Sequence, residues 1–303
     1  MVRTIFSVLL LASPFFFVGG PTVNSSRLVK ELWDCGHWLF FAALAGTLWS
    51  FAPPKSWSGW AKAILVLTLV GLLGVGIEMI QEGLPGRQAS LGDLRYDLAG
   101  GLAGVLFAAA VVESSWRRNV LLGVAALIVL GCCARLTQLI YDSWRVTANL
   151  PSLADFESSL DLERWQGDAD RVLVPMPGGG QGRSLAVRFT TDQFSEIRLQ
   201  DFPGDWQRFH ELKGEIYLPS DGFTLNLKIF DKLHAGNQQS FANRYNGQIR
   251  LRKGWNSITV PLASVRHAPV GRDMDLANIR GFSIFVQEEA GRQELVLDNL
   301  RLE

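Results

Sequence analysis

From Ile77 to Gly104 the chain reads IEMIQEGLPGRQASLGDLRYDLAGGLAG. Two apolar stretches meet there around a short turn, and Glu78, Gln81, Arg87, Asp93 and Asp97 fall at the junction. Charged groups in or beside a bilayer are costly, so polar residues at such a boundary line a cavity, pair with one another or meet a ligand. Glu78 and Gln81 are three apart and share one helix face, while Asp93 and Asp97 are four apart and share another. Gly83, Pro85 and Gly86 tighten the intervening turn, and Arg87 is the natural partner for the least solvated carboxylate. Asp93 also suits a helix N-terminus, where a carboxylate satisfies free amide hydrogens, so capping is its plain structural alternative.

Outward from this junction, apolar stretches at about residues 4 to 20, 37 to 53, 63 to 81, 94 to 112 and 119 to 140 each approach the ~20 residues that cross a bilayer. They predict five transmembrane helices, with a signal peptide as the alternative for the first, which Pro14 interrupts. Arg3, Lys55, Lys62, Arg117 and Arg118 flank one side against Arg27, Lys30, Arg87 and Arg95 on the other, a small bias that puts the former inside. The polar junction and everything beyond residue 140 then lie outside. Gly100 and Gly104 form a G-x-x-x-G step for close helix packing. On the second stretch Asp34 and His37 are three apart between Trp33 and Trp38, positioned to join the Glu78 group.

Composition supports this division. The 303 residues carry no net charge, with a mildly basic first half and a mildly acidic second, which excludes a nucleic-acid partner. Ten tryptophans and 30 glycines suit interfacial anchors followed by a turn-rich β domain. Cys35, Cys132 and Cys133 form neither a disulfide framework nor a zinc pattern.

The order Asp34-x-x-His37, Glu78-x-x-Gln81, Arg87, then Asp93-x-x-x-Asp97-x-x-Gly100-Gly101-x-x-Gly104 resembles the VanZ-like family of small bacterial membrane proteins over roughly the first 140 residues. That family usually has Asn at the position of Asp97, and often Lys where this chain has Cys35. The resemblance implies a cell-envelope membrane protein, the namesake being associated with glycopeptide-antibiotic resistance, and carries no assigned reaction.

After a mixed stretch at 141–154 that reads as a linker, the period changes from helical to two. SLAVRF, GEIYLP, FTLNLKIF, GQIRLR, NSITVPL, GFSIFVQ and ELVLDNLRL alternate between turns. About eight to ten short strands over residues 155–303 argue for a β-sandwich or jelly roll. The expected fold class is therefore multi-domain α plus β: a helical membrane domain at 1–140 and an all-β jelly-roll sandwich at 155–303.

Leu153-x-Asp155-Phe156-Glu157, the run Gly254 to Leu262, Asp275 to Phe282 and the closing Leu297 to Leu302 resemble the galactose-binding-like jelly rolls of carbohydrate-binding modules. The resemblance implies a structural Ca²⁺ shared by Glu157 and Asp298; about six to eight oxygens are needed, so backbone carbonyls would supply the remainder. A sugar site needs aromatic rings and hydrogen-bonding groups, for which Trp206, Phe209, His210, Asp231, His234, Arg244, Tyr245 and Gln287 are candidates. Alternation sets Asn226 and Lys228 opposite Leu225 and Leu227, so one strand face is polar. Trp255 is expected in the core and Trp206 in either setting.

Two functions follow. One is a non-enzymatic protein of the bacterial inner membrane whose extracytoplasmic β domain holds an envelope glycan, a lipid-linked saccharide or an envelope protein. The other is a membrane enzyme using Glu78 as base, Arg87 as clamp and Asp93 or Asp97 to place a metal or water. The first is favoured, because no nucleophile-base pair, phosphate-cradling loop or complete metal motif is visible.

Overall fold

The computed structural model describes residues 2–16, 20–21, 25–52, 57–83, 91–190, 194–220, 222–236, 240–287 and 293–303. Arg87 therefore lies outside the described residues. The chain divides into two compact units, Met1–Ile140 and Tyr141–Glu303.

The first unit is helical: α1 Val2–Ala12 with a 3₁₀ turn at Ser13–Phe16, α2 Arg27–Phe51, α3 Gly59–Glu82, α4 Leu91–Val112 and α5 Trp116–Ala148. Ser26 and Ser58 cap α2 and α3 by accepting the amides of Val29 and Ala61. Among the described residues three segments, not five, are long and apolar enough to cross a membrane: Gly59–Glu82, Gly92–Val112 and Trp116–Ala148. With 11 residues α1 rises only about 16 Å, roughly half a hydrocarbon core. Helix α2 has the length, but Glu31, Asp34 and His37 in its first half dilute its apolarity.

Within α3 the buried residues Val66, Val70, Gly74, Glu78 and Gln81 form a single stripe, while Ile64, Leu72, Leu73, Met79 and Ile80 are exposed. On α5 only 11% of the apolar window is buried. Helices that leave so much apolar surface outside their own fold are suited to a hydrocarbon solvent.

Helix α4 is central. A Cβ on Gly100 would lie 2.2 Å from the Trp38 carbonyl oxygen, and one on Gly104 2.2 Å from that of Ala42, so these glycines let α2 approach backbone to backbone. A Cβ on Gly101 would lie 2.7 Å from Cγ1 of Val70, so this glycine leaves room for an α3 side chain.

The second unit is an antiparallel two-sheet sandwich. Its elements are β1 Ser152–Ala154, α6 Ser159–Arg164, β2 Trp165–Gly167, β3 Asp170–Pro175, β4 Arg183–Arg188, β5 Phe194–Leu199, β6 Glu211–Leu218, β7 Thr224–Asp231, α7 Lys232–Gly236, β8 Tyr245–Arg250, β9 Gly254–Pro261, α8 Leu262–Arg266, β10 Ile279–Gln287 and β11 Glu294–Leu302. One sheet runs β3-β4-β11-β6-β9, with β1 also on β11; the other runs β2-β5-β10-β7-β8.

Leu185, Val187, Leu212, Ile216 and Leu297 of the first sheet face Ile197, Leu199, Leu227, Ile229 and Ile284 of the second, all essentially without exposure. Each such side chain contributes about 1.5–3 kcal/mol by leaving water. Trp165 packs in the core against a tilted Phe156 ring and edge-to-face against Phe282, its ring centre 6.1 Å from each.

The stretch 141–154, which composition marks as a linker, is ordered structure: the last two turns of α5, a turn closed by Ser152 donating to the Asn149 carbonyl, and β1. Its charges are buried. Arg145 reaches Asp142 at 3.0 Å and Asp161 at 2.6 Å, and Asp161 also holds Arg164 at 2.5 Å, with Asp142, Asp161 and Arg164 at 2% exposure or less. Burial pushes the Asp161 carboxyl up, but Arg145 and Arg164 outweigh it and hold it below the usual carboxylate value.

Candidate functional site

Helical geometry brings part of the predicted polar cluster together. Because Gly100 seats against Trp38, the residues one turn earlier on α4 and alongside on α2 meet: His37 Nδ1 and Asp97 Oδ1 are 3.0 Å apart, at 1% and 0% exposure. Asp97 Oδ2 faces α3 at Gly74, where a Cβ would sit 2.8 Å away. Glu78 and Gln81 continue that α3 stripe and are buried, while Asp34 and Asp93 lie one turn before His37 and Asp97 and are half-buried. A pair missing from the sequence reading, Tyr96 donating to Glu31 at 2.6 Å, joins α4 to α2 one turn further out. Its signal was available in the spacing, since Glu31 precedes Asp34 by three residues. The arrangement can orient an imidazole and hold a proton between two helices.

In the sandwich, the five-stranded sheet turns its second face outward, and every other residue of its strands lies there. Register aligns Arg198, Ser283, Lys228 and Asn246 in one row across β5, β10, β7 and β8, and Glu196, Phe285, Asn226 and Gln248 in the next. The rows are tied laterally. Lys228 Nζ lies 2.9 Å and Arg198 Nη2 3.2 Å from the same Glu196 oxygen, Gln248 donates to Asn226 at 3.0 Å, and Arg244 donates to Asn246 at 2.8 Å.

Gly281 makes room for the Phe230 ring, over which Arg198 lies at 5.3 Å. Exposed aromatic rings stand at the two margins: Phe194 on β5, 5.1 Å from Phe285, and Phe241 just before β8, with the Arg244 guanidinium 5.3 Å from its centre. From β5 to β8 the sheet is roughly 14 Å wide.

The electrostatics of this face follow from partial burial. Burial pushes the Lys228 ammonium below its ordinary value and Glu196 opposes that, while Arg198 and Arg244 add to it. Burial raises the Glu196 carboxyl, but Ser283 and Lys228 more than reverse this. Arg244 is likewise lowered by burial.

The predicted sugar-site residues divide between core, loop supports and this face. Trp206 is fully buried, its indole N–H donating to the Pro203 carbonyl at 3.0 Å, which removes it from any exposed platform. Asp231 is also fully buried: it accepts from Arg272 at 2.5 and 2.9 Å and from the amides of His234 and Asp275, so it pins a loop. His234 is buried against Phe230, and burial together with Arg244 and Lys228 keeps it below the usual histidine value. Phe209 packs on the core and His210 is exposed beyond it.

Tyr245 is half-buried against the core side of β8, whereas Arg244 and Gln287 border the outer face. Trp255, expected inside, is 43% exposed and packs edge-on against Tyr217 on the outer face of the other sheet. Glu196, Arg198, Ser283 and Phe241 were missed; in FSEIRL the alternation marks Glu196 and Arg198 as outward, but nothing local tells which strand lies beside them.

Of the proposed calcium ligands, Glu157 is exposed and accepts the Arg183 amide at 3.0 Å, while Asp298 is buried and accepts from Ser184 at 2.8 Å and from the Asn299 amide at 2.7 Å. No group of three or more His, Cys, Asp or Glu suited to a metal occurs among the described residues.

No protein-family model matches the chain, the VanZ-like resemblance included, and no curated protein matches it significantly. Among solved structures, the C-terminal half resembles carbohydrate-binding-module jelly rolls. The family 11 module from Clostridium thermocellum, in complex with a β-1,3-1,4-mixed-linked tetrasaccharide, is 19% identical with a TM-score of 0.40, the match covering 50% of this chain and 94% of that one. The non-crystalline cellulose specific module CBM28 gives 13% identity and 0.37 over 51% and 93%. An exo-β-agarase gives 15% and 0.41 over 50% and 24%. At TM-scores below 0.5 these likenesses add neither a residue nor a ligand to the site.

Proposed function

We propose that this chain is a saccharide-binding protein of the bacterial cell envelope, held in the inner membrane by its helical unit, with the β-sandwich outside the cytoplasm. The observation that carries this reading is the outer face of the five-stranded sheet. Its two rows of side chains, all hydrogen-bonding except Phe285, with exposed Phe194 and Phe241 at opposite margins, have the chemistry a sugar requires: polar groups for hydroxyls and rings for the apolar faces. The apolar, outward-facing surfaces of α3 and α5 support the membrane anchor. An envelope glycan or a lipid-linked saccharide is the ligand class. A structural Ca²⁺ at Glu157 and Asp298 belongs to the same reading: the two carboxylates repel each other, a repulsion a cation would relieve, and backbone carbonyls would complete the shell.

The test is a glycan screen on the full-length protein in a neutral detergent, repeated with Asn226→Ala and with Trp255→Ala. Binding that is lost with the first and kept with the second supports the face; binding lost only with the second moves the site to the other sheet. A second reading, a membrane enzyme acting on a lipid-linked substrate through the Glu78, Arg87, Asp93 and Asp97 region, is favoured by the buried His37–Asp97 contact. Turnover of a lipid-linked saccharide that disappears in Asp97→Ala would establish it in place of the binding role.

A further inference from the structure

Charge on the same face narrows the ligand. Among the described residues, its strands and the turn entering β8 present Arg198 and Arg244, with the buried Lys228 beneath them and exposed Arg250 at the far end of β8, against a single carboxylate, Glu196. Asp168 lies at the β5 edge and is committed to the Glu196 amide and the Thr190 hydroxyl. Glu196 is already divided between Arg198 and Lys228. Arg244 is half-buried, and its contacts are the neutral Asn246 oxygen at 2.8 Å and the Phe241 ring. Partly desolvated cations seek anions, and a guanidinium offers a planar fork that matches a carboxylate or sulfate. The unit as a whole is not basic, so this is a local excess.

Resting on the saccharide-binding reading, we propose that the outer face of the five-stranded sheet selects an acidic saccharide, whose carboxylate or sulfate group meets Arg244 and the Arg198–Lys228 pair while a sugar ring lies on Phe241. Glu196 then acts as a spacer that holds Arg198 and Lys228 in place and repels a second acid group on its side of the row.

The experiment titrates the full-length protein in neutral detergent with three probes of equal length: tetragalacturonate, a sulfated carrageenan tetrasaccharide and neutral cellotetraose. An acidic probe is expected to bind at least about tenfold more tightly than the neutral one, since a hydrogen bond to a charged group is worth that much. The preference should weaken between 50 and 300 mM salt, on the order of the screening that a Debye length of ~10 Å at 0.1 M implies. Whichever acid arm binds more tightly names the anion.

Arg244→Gln should remove most of the preference, weakening the acidic probes well beyond any loss for cellotetraose. Arg198→Gln, which keeps Glu196 paired with Lys228, should reduce it with less strain on the sheet. Equal binding of all three probes overturns the acidic selectivity and leaves the saccharide reading intact. Failure of all three to bind a protein with an unaltered melting transition overturns both.

Discussion

His37 and Asp97 meet at 3.0 Å with almost no exposure, whereas Glu196, Arg198 and Lys228 make contacts of similar length across a sheet face that water still reaches. The difference is set by backbone period. Along α2 and α4 only every third or fourth residue faces the neighbouring helix, so polarity gathers where Gly100 lets the backbones touch. Along β5, β10 and β7 every second residue faces outward, so polar side chains extend into rows that a ligand can span. Helical polarity here is a point, and sheet polarity is a surface.

The largest expected effect comes from the place where the sandwich departs from this pattern and buries its charges. Asp161→Asn leaves the buried Arg164 guanidinium without its counter-ion and Arg145 with Asp142 alone, and breaking a buried pair in this way costs about 3–5 kcal/mol. Urea unfolding followed by tryptophan fluorescence should show the loss; an unchanged midpoint would mean that water already screens the cluster.

The pH dependence has a definite sign. Since Arg145 and Arg164 hold Asp161 below its unfolded value, its contribution is complete above the ordinary Asp pKa of about 3.9 and is lost as pH falls through the lower folded value. Acid unfolding of the parent below about pH 4 should therefore be steeper than that of Asp161→Asn.

The next largest tests whether the glycine step creates the polar point. In Gly100→Ala the new methyl would meet the Trp38 backbone, which cannot rotate away, so α2 and α4 must separate. A loss of about 1–3 kcal/mol is expected, together with a lengthened His37–Asp97 contact. Gly76→Ala is the contrast: nothing lies within 4 Å of that Cβ, so it should be neutral or gain up to about 1 kcal/mol from helix propensity. Thermal unfolding in detergent separates them, and equal effects would break the link between the glycine step and the buried pair.

These elements also show what is legible in a sequence. The G-x-x-x-G step and the setting of Asn226 and Lys228 opposite Leu225 and Leu227 are local periodicities, and the structure realises them, whereas His37 and Asp97 are 60 residues apart and only the helix packing pairs them. Trp206 was not readable because its burial depends on a distant closure: its amide donates to the carbonyl of Leu276, about 70 residues on, which draws an apparent surface loop against the core. The row Arg198–Ser283–Lys228 likewise joins strands that are remote in sequence, so only register reveals it. Counting short apolar stretches gave two spans too many, because α1 is only 11 residues long and the polar first half of α2, which serves the cluster, lowers its mean hydropathy over a full span.

The smallest effect on stability should accompany a clear effect on binding. Phe241 is 67% exposed, and its ring touches mainly the Arg244 guanidinium, so Phe241→Ala should change stability by no more than about 0.5 kcal/mol. If a sugar ring rests on it, the same substitution should weaken saccharide binding by roughly tenfold. The comparison with Arg244→Gln sharpens the assignment, since losing the ring should weaken neutral and acidic probes alike, whereas losing the guanidinium should act on the acidic probes. If Phe241→Ala instead removed only the acid preference, Phe241 would serve to position Arg244, and the sugar platform would have to lie nearer Phe194.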